Sequence, residues 1–334
     1  MKKELFVCLF AVICLSCEQQ KPYYEERGSI FRTSYCIKYQ SDKLLTNQID
    51  TELQAFNLSL NPFNQNSILA KVNRNESVEV DLWFKTVFNK AMDVAMRSDG
   101  FFDPTVAPFI NLWGFGFEQR DSISEHTIDS LKAFVGYQKI RLEGDRVVKD
   151  DPRILLNFSA IAKGYACDVI AALLKREGVE NYMVEIGGEV TVKGLNPNGR
   201  CWQIGVNKPE DDPLGLEKKI QEIVALCNPC GFATSGDYRN FYIKDGKKYA
   251  HTINPHTGYP SEQNVLSATV IADDCMTADA YATAFMAMGL EDALNLAKQI
   301  DGIEYYLIYM DSTDQMQVEL SEGMQQMIVG KKNH

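Results

Sequence analysis

The sequence predicts an α+β fold with mainly antiparallel sheets and flanking helices. The predicted strands are short and follow one another through tight turns, such as Gly187-Gly188 and Asp245-Gly246. Helices separate groups of these strands, a pattern typical of α+β proteins. We find no internal repeat and no linker, so residues 28–330 are expected to form a single domain. A chain of 334 residues, 45% of them hydrophobic, can bury a large core.

Periodicity gives the individual elements, since apolar residues spaced three and four apart predict helices and alternating ones predict strands. In the first half we predict a strand over 28–39, helices over 44–60 and 80–96, a turn over 66–72, an irregular aromatic segment over 101–116, a helix over 122–134 and a hairpin over 140–156. In the second half we predict a helix over 169–177, a hairpin over 182–192, strands over 202–207, 220–226, 231–243, 248–253 and 266–272, helices over 273–289 and 290–300, and a hairpin over 304–320.

The first residues are expected to lie outside the domain. Two lysines precede an apolar run over residues 5–15 that is too short to span a bilayer comfortably. Ser16-Cys17 then resembles the cleavage point of a bacterial lipoprotein signal. We therefore expect residues 1–16 to be a signal peptide, Cys17 to carry the lipid and residues 17–27 to form a tether. An ordinary signal peptide and a short anchor are the alternatives. The lipoprotein interpretation places the protein outside the cytoplasm, on the periplasmic side of the inner membrane and attached to the lipid bilayer.

The overall charge bears on one class of partner. The formal net charge of the chain is −11. An acidic folded surface repels the phosphate backbone of nucleic acids, whose binding proteins carry basic patches. We therefore expect no nucleic-acid partner.

The helix predicted over 273–289 carries a candidate metal site. Two aspartates open it, where they can accept from free N–H groups, and Gly289 closes it. Asp279 and Thr283 are four residues apart and so share a helix face. A carboxylate and a hydroxyl are hard oxygen ligands of the kind that Mg²⁺ or Ca²⁺ prefers. The alternative is an ordinary helix in which Asp279 is exposed and Thr283 bonds back to a carbonyl.

Two further segments suggest a nucleotide-like ligand. Residues 101–116 combine aromatic rings with Asp and Asn, a surface that suits an aromatic heterocycle. A packed aromatic minicore is the alternative for this segment. Residues 157–168 run from a strand end into a helix start, where free N–H groups and Lys163 suit a phosphate. A plain helix cap is the alternative there.

The cysteines offer a different chemistry. Six of the nine cysteines lie beyond Cys17, and Cys227 and Cys230 form a C-x-x-C motif. Such a motif is typical of a redox pair or of half a zinc site. The sequence has no second C-x-x-C and no thioredoxin-like βαβ pattern around this one. We therefore expect a local disulfide or two inert thiols.

Four separated motifs stand in one order along the chain. They are Phe102-Asp-Pro-Thr105 with Asn111-Leu-Trp-Gly-Phe-Gly116, Ser159-Ala-Ile-Ala-Lys-Gly-Tyr-Ala-Cys-Asp168, His251-Thr-Ile-Asn-Pro-His-Thr-Gly258 and Ala278-Asp-Ala-Tyr-Ala-Thr-Ala284. Together they resemble the ApbE family of FAD:protein FMN transferases, and the resemblance covers nearly all of the mature chain. It implies a single, T-fold-like domain, and members are commonly bacterial lipoproteins.

The resemblance also implies an activity. Such an enzyme depends on Mg²⁺, binds FAD and transfers FMN to a Thr or Ser hydroxyl of a partner protein, with release of AMP. The partners are membrane redox subunits that carry covalent FMN. Some members instead hydrolyse FAD to FMN and AMP. A hard dication and a nearby amine suit displacement at a pyrophosphate, and a base suits an acceptor hydroxyl of high pKa.

Residue roles carry over from the resemblance by position. The backbone carbonyl of Ala160, Asp279 and Thr283 would hold the metal, and Asp279 would thereby serve catalysis. The implied FAD site comprises Phe101, Phe102, Asp103, Asn157, Lys163 and His251. His251 matches the family's proposed catalytic base.

Three positions depart from the family pattern. Asn157 and Asn254 stand where Asp is common, and Arg32 precedes Thr33-Ser34 where Gly-Thr is usual. These departures bear on nucleotide affinity more than on the chemistry. Three alternatives to the transferase stay open: an FAD pyrophosphatase, a non-catalytic FAD-binding lipoprotein, and a thiol oxidoreductase that uses Cys227 and Cys230.

Overall fold

The computed structural model of the protein describes residues 21–116, 123–209, 219–236, 241–244, 247–250 and 252–330. Two residues singled out from the sequence, Cys17 and His251, lie outside these ranges. Across the described ranges, no helix has both the length and the apolar character needed to cross a membrane.

The helices and strands follow the predicted order. The helices are α1 (Thr46–Leu60), α2 (Ile68–Asn73), α3 (Leu82–Arg97), α4 (Ala107–Leu112), α5 (Glu125–Lys132), α6 (Ala162–Arg176), α7 (Cys275–Met288), α8 (Leu290–Ala297) and α9 (Glu322–Met327). The strands are β1 (Tyr23–Ile30), β2 (Thr33–Gln40), β3 (Ile140–Glu143), β4 (Arg146–Lys149), β5 (Tyr182–Ile186), β6 (Glu189–Lys193), β7 (Trp202–Asn207), β8 (Ile220–Leu226), β9 (Cys230–Gly236), β10 (Phe241–Lys244), β11 (Lys247–Ala250), β12 (Val265–Ala272), β13 (Glu304–Met310) and β14 (Met316–Leu320).

One antiparallel sheet organises the described part of the chain. Its eight strands lie in the order β1-β2-β5-β6-β9-β12-β13-β14. Three two-stranded sheets, β3-β4, β7-β8 and β10-β11, are also antiparallel. The prediction of an α+β fold with mainly antiparallel sheets is confirmed.

The two faces of the large sheet carry separate cores, because side chains alternate along each strand. On one face, Ala268 and Val270 of β12 belong to the large core that also contains residues of α6 and α7. On the other face, Ile271 packs in a smaller core with Trp202 of β7 and Met324 of α9. The sheet therefore presents α6 and α7 side by side on a single face.

The first predicted strand needs a correction. Residues 28–39 form not one strand but part of the β1-β2 hairpin, in which Ile30 pairs with Thr33. Phe31 and Arg32 make the turn with φ angles of 53° and 61°. Such turns are usually marked by Gly or Asn, and neither residue stands at these two positions. The hairpin begins at Tyr23, within the segment expected to be a tether.

The expectation of a local disulfide or two inert thiols at the C-x-x-C motif is wrong for Cys227 and holds as a free thiol only for Cys230. Cys227 bonds to Cys201, with a Cα–Cα distance of 4.6 Å, and the bridge joins the outer ends of β7 and β8. Cys230 is a free thiol. Burial raises the pKa of Cys230 to about 12, so its reactive thiolate form is scarce at neutral pH. These facts disfavour the thiol oxidoreductase alternative.

Two other segments differ in detail from their predictions. The irregular segment 101–116 contains a short helix, α4, with Pro108 in its first turn, where proline is tolerated. The strand predicted over 231–243 is described as β9 and β10, which belong to different sheets.

Candidate functional site

A cavity of about 450 Å³ lies beside α7, within the size range of small-molecule sites. It is lined by all eight of the sequence-predicted ligand-binding residues that the structure describes: Phe101, Phe102, Asp103, Asn157, Ala160, Lys163, Asp279 and Thr283. His251 lies outside the described residues, but the next two residues, Thr252 and Ile253, line the same cavity. The structure thus brings described residues of all four separated motifs to one cavity.

α7 presents the candidate metal ligands. Asp274 caps the helix by accepting from the Thr277 N–H, and Gly289 ends it with a φ of 82°. Asp279 is only 3% exposed, so the alternative of an exposed helix residue is wrong. The Thr283 hydroxyl lies 3.1 Å from the Ser235 hydroxyl of β9 rather than against its own helix. Both side chains therefore reach the cavity between α7 and the sheet.

The start of α6 holds the Asp279 carboxylate. The Gly164 N–H donates to Asp279 Oδ2 at 3.0 Å, and Lys163 Nζ lies 3.9 Å from Oδ1. Burial raises the pKa of Asp279, while Lys163 and the Gly164 N–H act in the opposite direction. Gly164 lies in the first turn of α6, where backbone N–H groups have no partner within the helix, so its N–H is available to Asp279. Ala160, the third predicted ligand, lies just before α6 and lines the cavity.

Two glycines allow α7 to come this close. A Cβ on Gly164 would lie 2.3 Å from the carbonyl oxygen of Cys275. A Cβ on Gly231 of β9 would lie 2.2 Å from the backbone nitrogen of Cys275. Because both obstacles are backbone atoms, no side-chain adjustment could relieve them. The glycines fix the position of α7 between α6 and the sheet.

Glu189 is a site residue that the sequence analysis missed. It begins β6, lines the cavity and is 5% exposed. Its Oε1 lies 2.5 Å from Lys163 Nζ, whereas its buried Oε2 has no hydrogen-bond partner among the described residues. Burial raises the pKa of Glu189 to about 7. An acidic residue directly after the Gly187-Gly188 turn, at the head of an apolar strand, was the available signal.

Lys163 forms an ion pair in this arrangement. Burial would lower its pKa, but the charges of Asp279 and Glu189 outweigh that effect and raise it. The side chain therefore stays protonated and neutralises two carboxylates. The sequence analysis assigned Lys163 to phosphate binding; the structure shows that much of its charge is already balanced.

The aromatic segment forms another part of the cavity wall. Asp103 accepts from the backbone and hydroxyl of Thr105 through Oδ1 and from the Tyr137 N–H through Oδ2. Burial raises the pKa of Asp103, and these donors oppose the shift. Its carboxylate thus fixes the loop that places Phe101 and Phe102. The alternative of an aromatic minicore also holds in part, since Phe109 and neighbouring residues pack in a core of their own.

The donor set suits a hard cation. Asp279, Thr283 and the Ala160 carbonyl would supply oxygen ligands only, which matches the preference of Mg²⁺. Across the described residues, no group of three or more His, Cys, Asp or Glu side chains is placed to hold a metal. A set with one carboxylate agrees with Mg²⁺, which keeps several waters and also binds substrate phosphates. The unpartnered Glu189 Oε2 is a further oxygen that a ligand could satisfy.

Comparisons with known proteins show the family of the chain. A model of the ApbE family matches residues 31–307. The FAD:protein FMN transferase of Vibrio cholerae is 36% identical over 309 residues, which are 89% of this chain and 91% of that protein. The FAD:protein FMN transferase of Escherichia coli is 33% identical over 298 residues, which are 86% of this chain and 83% of that protein.

Solved structures show the same relationship. The flavin transferase ApbE from Vibrio cholerae superposes with a TM-score of 0.81 at 34% identity and covers 92% of this chain and 99% of its own. The apo flavinyl transferase ApbE from Pseudomonas stutzeri superposes with a TM-score of 0.80 at 28% identity and covers 94% of this chain and 99% of its own. With the family model matching most of its length, the chain belongs to the ApbE family.

Proposed function

We propose that the protein is a Mg²⁺-dependent FAD:protein FMN transferase. It moves FMN from FAD to a Thr or Ser hydroxyl of an acceptor subunit in a membrane redox complex and releases AMP. The observation that carries this proposal is the cavity where Asp279 and Thr283 of α7 meet Lys163 and Glu189. The proposal is supported by relatives of this name that match most of the chain.

The residues around Asp279 would hold and orient the metal. Asp279, Thr283 and the Ala160 carbonyl would be its ligands, and Mg²⁺ would supply charge stabilisation for the phosphate oxygens. The Gly164 N–H holds Asp279 Oδ2 in place, which leaves Oδ1 facing the cavity beside Lys163. Lys163 keeps the buried carboxylates from repelling an anionic substrate, because its ammonium offsets their charge.

The transfer breaks the phosphoanhydride bond of FAD and forms a phosphoester bond to the acceptor. The acceptor hydroxyl oxygen forms a bond to the FMN phosphorus, and the bond from that phosphorus to the bridging oxygen breaks, so that AMP leaves. The hydroxyl proton must be removed, and a positioned base contributes roughly 10²–10⁴-fold to such a step. His251, assigned to this role by family resemblance, adjoins Thr252 and Ile253 of the cavity wall. Water in place of the hydroxyl would give hydrolysis.

We further propose that the enzyme acts outside the cytoplasm, anchored by a lipid on Cys17. The bond between Cys201 and Cys227 supports this location, since stable disulfides form in oxidising compartments. If Cys17→Ser leaves the protein in the membrane fraction after a salt wash, the anchoring proposal fails.

The activity is tested by incubating the protein with FAD, Mg²⁺ and a threonine-containing acceptor peptide, and measuring AMP and flavin-labelled peptide. We expect both products in equal amounts, and neither after chelation by EDTA. AMP without labelled peptide, at the same rate with or without acceptor, would identify an FAD pyrophosphatase. FAD binding without AMP would identify a non-catalytic binding protein.

A further inference from the structure

We propose that the guanidinium of Arg32 binds a phosphate group of the dinucleotide at the cavity wall formed by the β1-β2 turn. This inference rests on the proposed function, since it takes FAD as the ligand. It also reverses the expectation from the sequence, where Arg32 was a departure that bore unfavourably on nucleotide affinity.

The turn places Arg32 on the cavity. Phe31, Arg32 and Thr33 all line it. A Cβ built on Gly187 would lie 3.1 Å from the Thr33 side chain and 3.2 Å from both Lys163 Cδ and Glu189 Oε2. The turn therefore adjoins the ion pair of the site, and Arg32 is an exposed cation beside it.

The backbone at this turn is strained. Phe31 and Arg32 have φ angles of 53° and 61°, a conformation that costs an L-residue with a side chain roughly 1–2 kcal/mol. Turns of this kind favour Asn-Gly, which would avoid most of the cost. Strain of this kind persists where the surrounding structure enforces it, and it is concentrated at functional sites. A large cationic side chain at this strained position therefore indicates a role for Arg32 other than forming the turn.

A neighbouring ring orients the guanidinium. Arg32 Cζ lies 4.0 Å from the centroid of the Phe63 ring, a cation–π contact. Among the described residues, no carboxylate lies within ion-pair distance of Arg32. The contact with Phe63 reduces the number of conformations open to the long side chain without neutralising its charge. Less conformational entropy is then lost when an anion binds.

The charge balance of the cavity leaves the charge of Arg32 available to an anion. The charged side chains among its described lining are Arg32, Lys163, Asp103, Glu189 and Asp279. Fully ionised, they carry a net charge of minus one, and Lys163 is already paired with Glu189 and close to Asp279. Lys163 and the proposed Mg²⁺ would offset the carboxylates, and Arg32 would add a positive charge that faces the pyrophosphate. Arg32 is the described lining cation whose charge no carboxylate offsets, and a planar guanidinium suits phosphate oxygens.

The test compares ligands with and without phosphate. Dissociation constants for FAD, ADP and riboflavin are measured with Arg32→Gln, and with Arg27→Gln as the matched control. Arg27 lies on β1 of the same hairpin, is exposed and pairs with Glu25. For Arg32→Gln we expect binding of FAD and ADP to weaken about tenfold, as for the loss of a charge-assisted hydrogen bond. Riboflavin binding should change by less than about twofold, and Arg27→Gln should alter none of the three.

Two further variants separate binding from folding. Arg32→Gly should raise the melting temperature of the ligand-free protein, because glycine accepts the positive φ, yet it should weaken FAD binding as Arg32→Gln does. Phe63→Leu should weaken FAD binding by a smaller factor, about threefold, and add little to Arg32→Gln, since both act through one contact. Unchanged FAD and ADP affinities in Arg32→Gln, or an equal loss for riboflavin, would overturn the inference. If the wild-type protein binds no FAD, the proposed function itself fails.

Discussion

Two aspartates on neighbouring helices are used in opposite ways. Asp168 of α6 accepts from the Cys275 and Met276 N–H groups at the start of α7. Asp279 of α7 accepts in return from the Gly164 N–H at the start of α6. The two helices thus exchange hydrogen bonds through side chains of the same type.

What differs is the number of donors inside the protein. Asp168 also accepts from the Thr191 hydroxyl, so three donors occupy its carboxylate, and it does not line the cavity. Asp279 has one backbone donor, and its other oxygen stands 3.9 Å from Lys163 on the cavity wall. A saturated carboxylate holds helices together, whereas an incompletely saturated one can bind a ligand. We therefore propose a stabilising role for Asp168 and a functional role for Asp279.

The largest expected effect comes from removing Asp279. Asp279→Ala should lower the rate of AMP release by about 10²–10³-fold, the range found for a lost electrostatic contributor in an active site. The melting-temperature increase produced by Mg²⁺ with FAD should disappear as well. Differential scanning fluorimetry with and without both ligands provides the second measurement. Ligand-induced stabilisation that survives in Asp279→Ala would contradict the metal assignment.

Gly164 donates to Asp279 and lies where α6 and α7 approach closely, so replacing it should affect both function and stability. Gly164→Ala places a methyl group against the Cys275 carbonyl and should lower the free energy of unfolding by about 1–3 kcal/mol, a typical cost of overpacking. AMP release should fall too, because Asp279 loses its backbone donor geometry. Urea denaturation measures the first effect. Alanine in an ordinary helical position stabilises by roughly 0.5–1 kcal/mol relative to glycine, so a more stable variant would show that the helices do not depend on this close approach.

Asp168→Asn should lower stability and leave ligand binding intact, which is the converse of the effect expected for Asp279→Ala. The amide cannot accept through both side-chain positions, so one backbone N–H of α7 loses its partner, at a cost of about 1–3 kcal/mol in unfolding free energy. The melting-temperature increase on adding Mg²⁺ with FAD should be retained. A variant that loses this increase but keeps its basal stability would reverse the two assignments.

The pH dependence of stability tests Asp168 separately. Burial raises its pKa to about 7 despite the three donors, while the unfolded chain has a value of about 3.9. Between these values the folded protein binds more protons, so the free energy of unfolding should fall as pH rises from about 4 to 7 and then level off. The pKa values of Asp279 and Glu189 are raised in the same way. The contribution of Asp168 is therefore the difference in unfolding free energy between wild type and Asp168→Asn. That difference in unfolding free energy should become smaller as pH rises. If it becomes larger, the hydrogen-bond donors affect the pKa of Asp168 more strongly than burial does.

The sequence predicted those parts of the protein whose causes are local. Hydrophobic periodicity located α1, α3 and the β13-β14 hairpin to within a few residues. The Asp279–Thr283 pair was predicted from helical spacing alone. The assembly of distant motifs into one cavity came from resemblance, since no local pattern specifies which segments meet.

The features that the sequence missed depend on distant partners. Glu189 becomes a site residue only because it meets Lys163, which lies 26 positions earlier. Cys227 pairs with Cys201 rather than Cys230 because strand register brings those two together. The turn at Phe31 lacks the glycine that usually marks such a turn in a sequence. In each case the determining contact is long-range or the backbone contradicts local preference.

Replacing Thr283 should give the smallest effect and separate charge from coordination. Thr283→Val keeps the shape of the side chain and removes a neutral ligand, so the Mg²⁺ concentration for half-maximal AMP release should rise about tenfold, as expected for about 1.4 kcal/mol. The hydroxyl also lies 3.1 Å from Ser235, so Ser235→Ala is the matched control that leaves Thr283 intact. Thr283→Ser should restore the normal Mg²⁺ requirement.

If Ser235→Ala raises that requirement as much as Thr283→Val does, the two hydroxyls act through their mutual hydrogen bond and Thr283 is not a metal ligand. If only Thr283→Val raises it, and the effect is lost in an Asp279→Ala background, both residues act on one ion.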